Sequence, residues 1–249
     1  ASFELPVWTP ATTEAFATYG DVAGDKPTAL HQPVAAPPDV WPQFGGLEVQ
    51  TSSTQLQALT DAVLYLVAYP YECAEQLSSR ILAVAALKDV LGAFDAEGLP
   101  SPDKILARMS KDLERLRGMQ NSDGGFGFWK RGDDSWPFLS IHVTHALSRA
   151  KDKGFAVNAG MLAEAHQYLK EIESHFPWYY SVQTRRVLTS YALYVRARLG
   201  DRDTARASKL IDEAGLDGLG AEAVGWLWSV LAPDAGSAGD VAKIRTWVQ

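Results

Sequence analysis

The residues with the clearest chemical potential lie in one octapeptide, Tyr69-Pro70-Tyr71-Glu72-Cys73-Ala74-Glu75-Gln76. Pro70 breaks any helix running into this stretch, so a helix resuming beyond it starts at or near Cys73. A helix N-terminus offers free amide N–H groups and the positive end of the dipole, which favour a thiolate. One helical turn brings residue i+3 onto the same face, which sets the Gln76 carboxamide beside the sulfur. Attack of the thiol on that amide would expel ammonia and leave an internal thioester. Such an acyl group sits on a good leaving group and lasts only while water is kept out. Tyr69 and Tyr71 flank the motif and are candidate walls of that shelter. The spacing has a bland reading as well: Cys and Gln three residues apart recur by chance, and a lone Cys commonly serves as a small buried hydrophobe. Chemistry alone leaves both readings open.

The rest of the composition narrows the classes. The chain has 249 residues, 47% of them apolar, enough for a substantial core. Lys and Arg number 23 against 30 Asp and Glu, so the net charge is −7 and nucleic acid is disfavoured as a partner. Apolar runs such as Ile81–Leu87 are far too short to span a bilayer, so no membrane insertion is expected of this segment. With Cys73 as the single cysteine, an internal disulfide and a multi-Cys metal site are excluded. The chain begins at Ala1 with no signal-peptide pattern and ends in an uncapped helical pattern. It therefore reads as a processed or excised piece whose native domain continues past its C-terminus.

Two regions differ in character. Seven of the 13 prolines fall within residues 1–42, and proline blocks helix both at its own position and before it. Residues 1–50 are therefore expected to be an extended lead-in from a neighbouring β-rich module, with strands near Ser2–Val7 and Leu47–Thr51. From 51 to 249 the pattern is helical. Leu56, Leu59, Val63 and Leu66 form one amphipathic stripe, and Leu77, Ile81, Val84, Leu87 and Leu91 form a second. Ser101-Pro102-Asp103 is a helix start with Pro at the first helical position, followed by Ile105, Met109, Leu113 and Leu116. Further stripes run through Leu139, Val143 and Leu147; through Leu162, Leu169 and Ile172; and through Leu188, Ala192, Val195 and Leu199, stopped by Gly200. Shorter helices are predicted near 203–213, 220–231 and 238–248. No segment after Ser53 alternates with period two. The expectation is an all-α domain of about nine helices in hairpins, either a bundle or a closed α/α ring, with Leu77, Ile81, Leu113, Leu116, Val143 and Leu147 facing inward.

The octapeptide as a whole resembles the thioester motif of the alpha-2-macroglobulin and complement family, whose core is Cys-x-Glu-Gln after a Pro-Tyr dipeptide. It looks most like the bacterial branch, in which Tyr-Pro-Tyr-x-Cys-x-Glu-Gln is followed by Ser-Arg, here Ser79-Arg80. Where animal members have Gly before the Cys, this chain has Glu72. A second stretch, Gln120…Asp123-Gly124-Gly125-Phe126-Gly127-Phe128-Trp129, resembles the family's Gln-x-x-Asp-Gly-x-Phe-x-x-Trp turn, and together with the helix order the resemblance covers about residues 47–249. It implies a thioester domain that is an α/α toroid, inserted in a β-sandwich module beside further macroglobulin-like domains. It implies a Cys73–Gln76 thioester with Glu75 as part of the motif. It also implies broad-spectrum protease inhibition in the bacterial periplasm, where target proteases are coupled covalently, with no cofactor and no turnover. Some family members use a downstream histidine as acyl acceptor or base, and His175 in Ser174-His175-Phe176-Pro177-Trp178 is the candidate here, set against an ordinary surface-loop histidine.

Other features carry weaker signals. His142 and His145 at i, i+3 could offer two metal ligands, but no third ligand or His-Glu-x-x-His pattern accompanies them, so no metal is expected. Trp129, Trp136, Trp178, Trp226 and Trp228 could line a cleft but more often fill cores. Lys151-Asp152-Lys153 and Arg185-Arg186 read as solvated surface. Gln120…Gly125…Trp129 also resembles the Gln-Trp repeats of terpenoid cyclases, which are α/α toroids too; Asp133-Asp134 is the lone Asp pair, however, and a cyclase leaves Cys73 and Gln76 unexplained. A non-covalent helical binding domain with a vestigial thioester is the other alternative. The resemblance implies that much of the thioester's shelter comes from a neighbouring domain, so Cys73 and Gln76 are expected at the surface of this piece, near the junction with the lead-in.

Overall fold

The computed structural model describes residues 2, 4, 14–20, 22, 29–41, 43–49, 51, 60–89 and 100–249. By its contacts the chain divides into two units, Ala1–Thr51 and Ser52–Gln249. The described residues of the first unit contain neither helix nor strand, only turns at 38–39 and 43–44, the second closed by Phe44 N–H donating to the Trp41 carbonyl at 3.0 Å. The strand expected near Leu47–Thr51 is not there: Leu47 and Val49 are exposed at 70% and 74% and have no ladder partner among the described residues. Apolar alternation makes a strand only when a second strand supplies the hydrogen bonds. The strand expected at Ser2–Val7 lies largely outside the described residues.

The regular elements described in the second unit are all helices: α1 (Thr60–Ala68), α2 (Ala74–Leu87), α3 (Pro102–Met119), α4 (Pro137–Asp152), α5 (Ala159–Lys170), α6 (Val182–Arg198), α7 (Thr204–Leu219), α8 (Ala221–Leu231) and α9 (Ala238–Val248), with short 3-10 turns at Ile172–His175 and Ala235–Ser237. The all-α expectation holds. Leu56, Leu59 and Leu91 of the first two stripes lie outside the described residues. Start and stop signals act as their chemistry dictates. Pro102 opens α3 behind Ser101, where its missing N–H costs nothing. Asn158 and Ser181 cap α5 and α6 by accepting from the backbone N–H three residues on. Gly200 ends α6 region at φ 89°. The seventh helix runs past its expected end near 213: it breaks at Gly215, φ 66°, and resumes to Leu219.

The helices stack as successive hairpins. α2 packs on α4, α4 on α6 and α6 on α8, so alternate helices form one row, while α3, α5, α7 and α9 flank their neighbours in the chain. Leu77, Ile81, Leu116, Val143 and Leu147 are wholly buried and Leu113 nearly so, as the stripes predict. Burial of each such side chain contributes about 1.5–3 kcal/mol. Two further clusters continue the core, one around Tyr168, Leu188 and Tyr191 and one on α6 to α9. Among the described residues no helix is long and apolar enough to cross a membrane.

The segment between α3 and α4 is an ordered turn built on close backbone approaches. Gly124 has φ 85°, and a Cβ there would meet the Glu164 carbonyl oxygen at 2.3 Å. Gly125 faces Ser135 and the Tyr168 ring, each 2.7 Å from where a Cβ would stand. Gly124→Ala combines a forbidden backbone region with a backbone clash and should cost about 2–3 kcal/mol, read as a fall in Tm of roughly 5–10 °C. Gly118→Ala, in α3 with open space at its Cβ, should instead leave Tm unchanged or raise it slightly.

Candidate functional site

Residues Tyr69 to Cys73 run without regular structure from the end of α1 to the head of α2, as a proline at position 70 requires. Cys73 is the N-cap of α2, with φ −73° and ψ 167°, and Gln76 is its third helical residue. The two form a capping box in which the cysteine stands where Ser or Thr usually does. The Cys73 N–H donates to Gln76 Oε1 at 3.0 Å, which folds the carboxamide back over the helix start, and the Gln76 backbone N–H is directed at the Cys73 side chain. Cys–x–x–Gln is therefore a cap by helix geometry and, in the same stroke, a thiol and an amide held side by side.

Cys73 is only 5% exposed, so the expected surface position is corrected for the sulfur; Gln76 is half-buried. Helix capping draws the Cys73 side chain under the first turn, and the turn between α3 and α4 crosses that end of α2, with Ala74 N–H donating to the Phe128 carbonyl at 2.8 Å. Phe128 packs on the core and meets Trp136 edge-on at 5.9 Å. Tyr69 is half-buried and lies between Tyr65 and Tyr71, with ring centroids 5.3 and 5.6 Å away. Tyr71 is 61% exposed and so is no inner wall.

The aromatic turn is held from within. Buried Gln120 donates from Nε2 to the carbonyls of Gly124 and Met161, at 3.1 and 2.9 Å. Asp123 accepts from Gly125 N–H and from Ser135 Oγ, both at 2.9 Å. Phe126 is wholly buried, whereas Trp129 is 61% exposed. Within the turn, then, Gln, Asp, Gly and Phe have structural work, and the Phe128 carbonyl delivers the turn to the site.

Glu75 points along the other side of α2, where its carboxylate accepts from Ser79 Oγ at 2.7 Å. Ser79 Oγ lies 3.1 Å from His142 Nε2, and Glu75 Oε1 is 4.0 Å from the same nitrogen. His142 also stacks on Phe138 at 5.8 Å. The approach of His142 to α2 carries no signal in the sequence, because it lies 63 residues from Ser79. His142 and His145 both direct Nδ1 at the Tyr191 hydroxyl, at 3.4 and 2.9 Å. The described residues hold no group of three or more His, Cys, Asp or Glu that could bind a metal ion. His175 stands apart from these groups, stacked on Tyr168 at 3.9 Å.

Burial lowers the His142 pKa against the opposing pull of Glu75. It drops that of His145 to about 4, reinforced by Arg198, His142 and Arg149. Both imidazoles are therefore neutral at pH 7. The unfolded chain takes up the His145 proton near pH 6.5 while the folded one holds out to about 4, so stability is intact above the first value and declines as pH falls between them. The loss should approach about 3 kcal/mol. His145→Gln should flatten this part of a stability-versus-pH curve measured by denaturant unfolding.

No family model matches the chain. Among curated proteins it is 29% identical over 168 residues to Circularly permutated Ras protein 2 of Dictyostelium discoideum, across 64% of this chain and 4% of that one. It is 32% identical over 137 residues to an alpha-2-macroglobulin of Rickettsia conorii, across 54% of this chain and 7% of that one. The chain thus spans less than a tenth of the length of either relative. Among solved structures, native alpha-2-macroglobulin from Escherichia coli, from domain MG7 to the C-terminus, matches with TM-score 0.60 and 23% identity, over 74% of this chain and 30% of that one. Salmonella alpha-2-macroglobulin reacted with methylamine matches with TM-score 0.58 and 22% identity, over 75% and 12%. Trypsin-activated alpha-2-macroglobulin from Escherichia coli matches with TM-score 0.57 and 23% identity, over 71% and 13%. At such identities the structural likeness speaks for the fold. This chain is therefore similar to a helical stretch of bacterial alpha-2-macroglobulins in sequence and in fold, and the resemblance read from the octapeptide holds.

Proposed function

We propose that this chain is the thioester-bearing part of an alpha-2-macroglobulin-like protease inhibitor, and that Cys73 and Gln76 form its reactive bond. The observation that carries this reading is the capping box, which brings the thiol and the carboxamide to the same helix end, with Gln76 Oε1 3.0 Å from the Cys73 nitrogen. In forming the bond, Cys73 Sγ attacks Gln76 Cδ, the Cδ–N bond breaks, and the thiol proton leaves with the amide nitrogen as ammonia. In use, an amine or hydroxyl of a target attacks Cδ, the S–C bond breaks, and Sγ takes up a proton to become a free thiol. Each bond is spent once, so the domain acylates a target without turning over. Burial of Cys73 supports storage of such a group, since hydrolysis needs water at the acyl carbon.

The alternating rows of helices are consistent with an arc that closes into an α/α toroid. The relatives' names and the trypsin-activated structure support proteases as the targets, coupled covalently, with macroglobulin-like and β-sandwich domains of a longer parent chain around this one. By analogy with the bacterial relatives, we propose a periplasmic, cell-envelope setting.

Because Cys73 is the chain's single cysteine, thiol titration reports on this bond alone. Freshly made native protein should show no free sulfhydryl and an intact mass short by one ammonia. Methylamine should add once per chain, on Gln76, and release the Cys73 thiol in equal amount. Cys73→Ala should abolish the addition and keep the helical circular dichroism. A full thiol and an unmodified mass at the outset, or methylamine mapped to another residue, would remove the mechanism.

A further inference from the structure

Glu72, immediately before the reactive cysteine, is bound to three guanidinium groups. Its Oε1 accepts from Arg108 Nη2 at 2.9 Å and from Arg80 Nη2 at 3.4 Å, and its Oε2 pairs with Arg115. Arg80, on the second turn of α2, is 3% exposed and makes a two-pronged contact with Asp112, Nε to Oδ2 at 2.7 Å and Nη2 to Oδ1 at 2.8 Å. Arg108, Asp112 and Arg115 lie at i, i+4 and i+7 on α3, so one face of that helix presents a charged stripe to the segment carrying the motif. Three cations face two carboxylates. Without Glu72 the buried Arg80–Asp112 pair, 3% and 4% exposed, would face the two more exposed cations of Arg108 and Arg115 with no second carboxylate between them.

We infer that Glu72 is a positioning residue: a charged latch that clamps the segment entering α2 onto α3 and thereby sets both the formation and the lifetime of the Cys73–Gln76 thioester. Residues 69–73 have no regular structure of their own. The backbone torsions on either side of the Glu72–Cys73 peptide decide where Sγ lies relative to the Gln76 carbonyl carbon. Holding reacting atoms in register is worth orders of magnitude in rate, and a clamped segment also keeps water from the acyl carbon. This inference rests on the thioester reading above and adds to it the group that tunes the bond.

The test compares wild-type, Glu72→Gln and Arg108→Gln protein, with Arg117→Gln as a control because its side chain pairs with Glu114 alone at the surface. Thioester content is read from intact mass in fresh protein, and the methylamine coupling rate from thiol release. Glu72→Gln should keep the helical circular dichroism but carry less thioester, and the bond that remains should couple about tenfold faster, the scale of losing a half-buried charge-assisted contact. Arg108→Gln should act in the same direction and add little in the Glu72→Gln background, because both changes open one latch. Arg117→Gln should match wild type. Wild-type content and rate in Glu72→Gln would overturn the latch. Should Glu72→Gln fail to fold, Arg108→Gln decides, being 40% exposed and outside the motif. Should wild-type protein carry no thioester, the function proposed above fails, and the latch is judged separately on the free Cys73 thiol: its alkylation by iodoacetamide must be faster in Glu72→Gln, and an unchanged rate overturns the latch as well.

Discussion

The hydrogen bond from the Cys73 N–H to the Gln76 carboxamide, 3.0 Å long, depends on a helix that starts at one residue and no other. A start one residue earlier or later would take Gln76 out of the third helical position and the carboxamide away from the sulfur. Pro70 supplies the break before it. Leu77 and Ile81, wholly buried in the next two turns, keep α2 from shifting along its axis, because a slide would expose both. The rest of the fold can be understood as support for that one helix end.

Support arrives from three directions. α3 contributes Asp112, which neutralises Arg80 inside the core, and the cations that hold Glu72. A buried charge pair of this kind adds little net stability but penalises misregistered packing, since an unpaired member would be left in a dry site. The turn between α3 and α4 brings the Phe128 carbonyl to the Ala74 N–H, filling one of the donors that a helix start leaves open. Its glycines allow backbone to approach backbone there, and the Asn, Asp and Gln side chains of the same turn satisfy its polar groups. α4 contributes His142, joined to α2 through Ser79 and to α6 through Tyr191.

Among the described residues, the polar groups along this inner row bond to one another: Glu75 to Ser79, Ser79 to His142, and both His142 and His145 to Tyr191. The thiol is buried at the end of that row, with the Gln76 carboxamide held beside it. Exposed Tyr65, Tyr71, Trp129 and Phe138 carry aromatic surface on the segments that border the motif.

Much of this was legible in the sequence because it is local. The stripes of α2 to α6, the Ser101-Pro102 start, the Gly200 stop and the Cys73–Gln76 pairing all follow from periods of three to four residues and from the torsions of Pro and Gly, which act without reference to distant chain. Whatever needed a partner from elsewhere was decided by tertiary packing. The described residues of Leu47–Thr51 form no strand, because among the described residues no second strand supplies the hydrogen bonds. The burial of Cys73 depends on a turn more than fifty residues away. The role of Glu72 required three arginines, of which Arg108 and Arg115 show their common face only once α3 is laid beside the motif. His142 rather than His175 stands next to α2 because helix packing, not distance along the chain, sets which side chains meet.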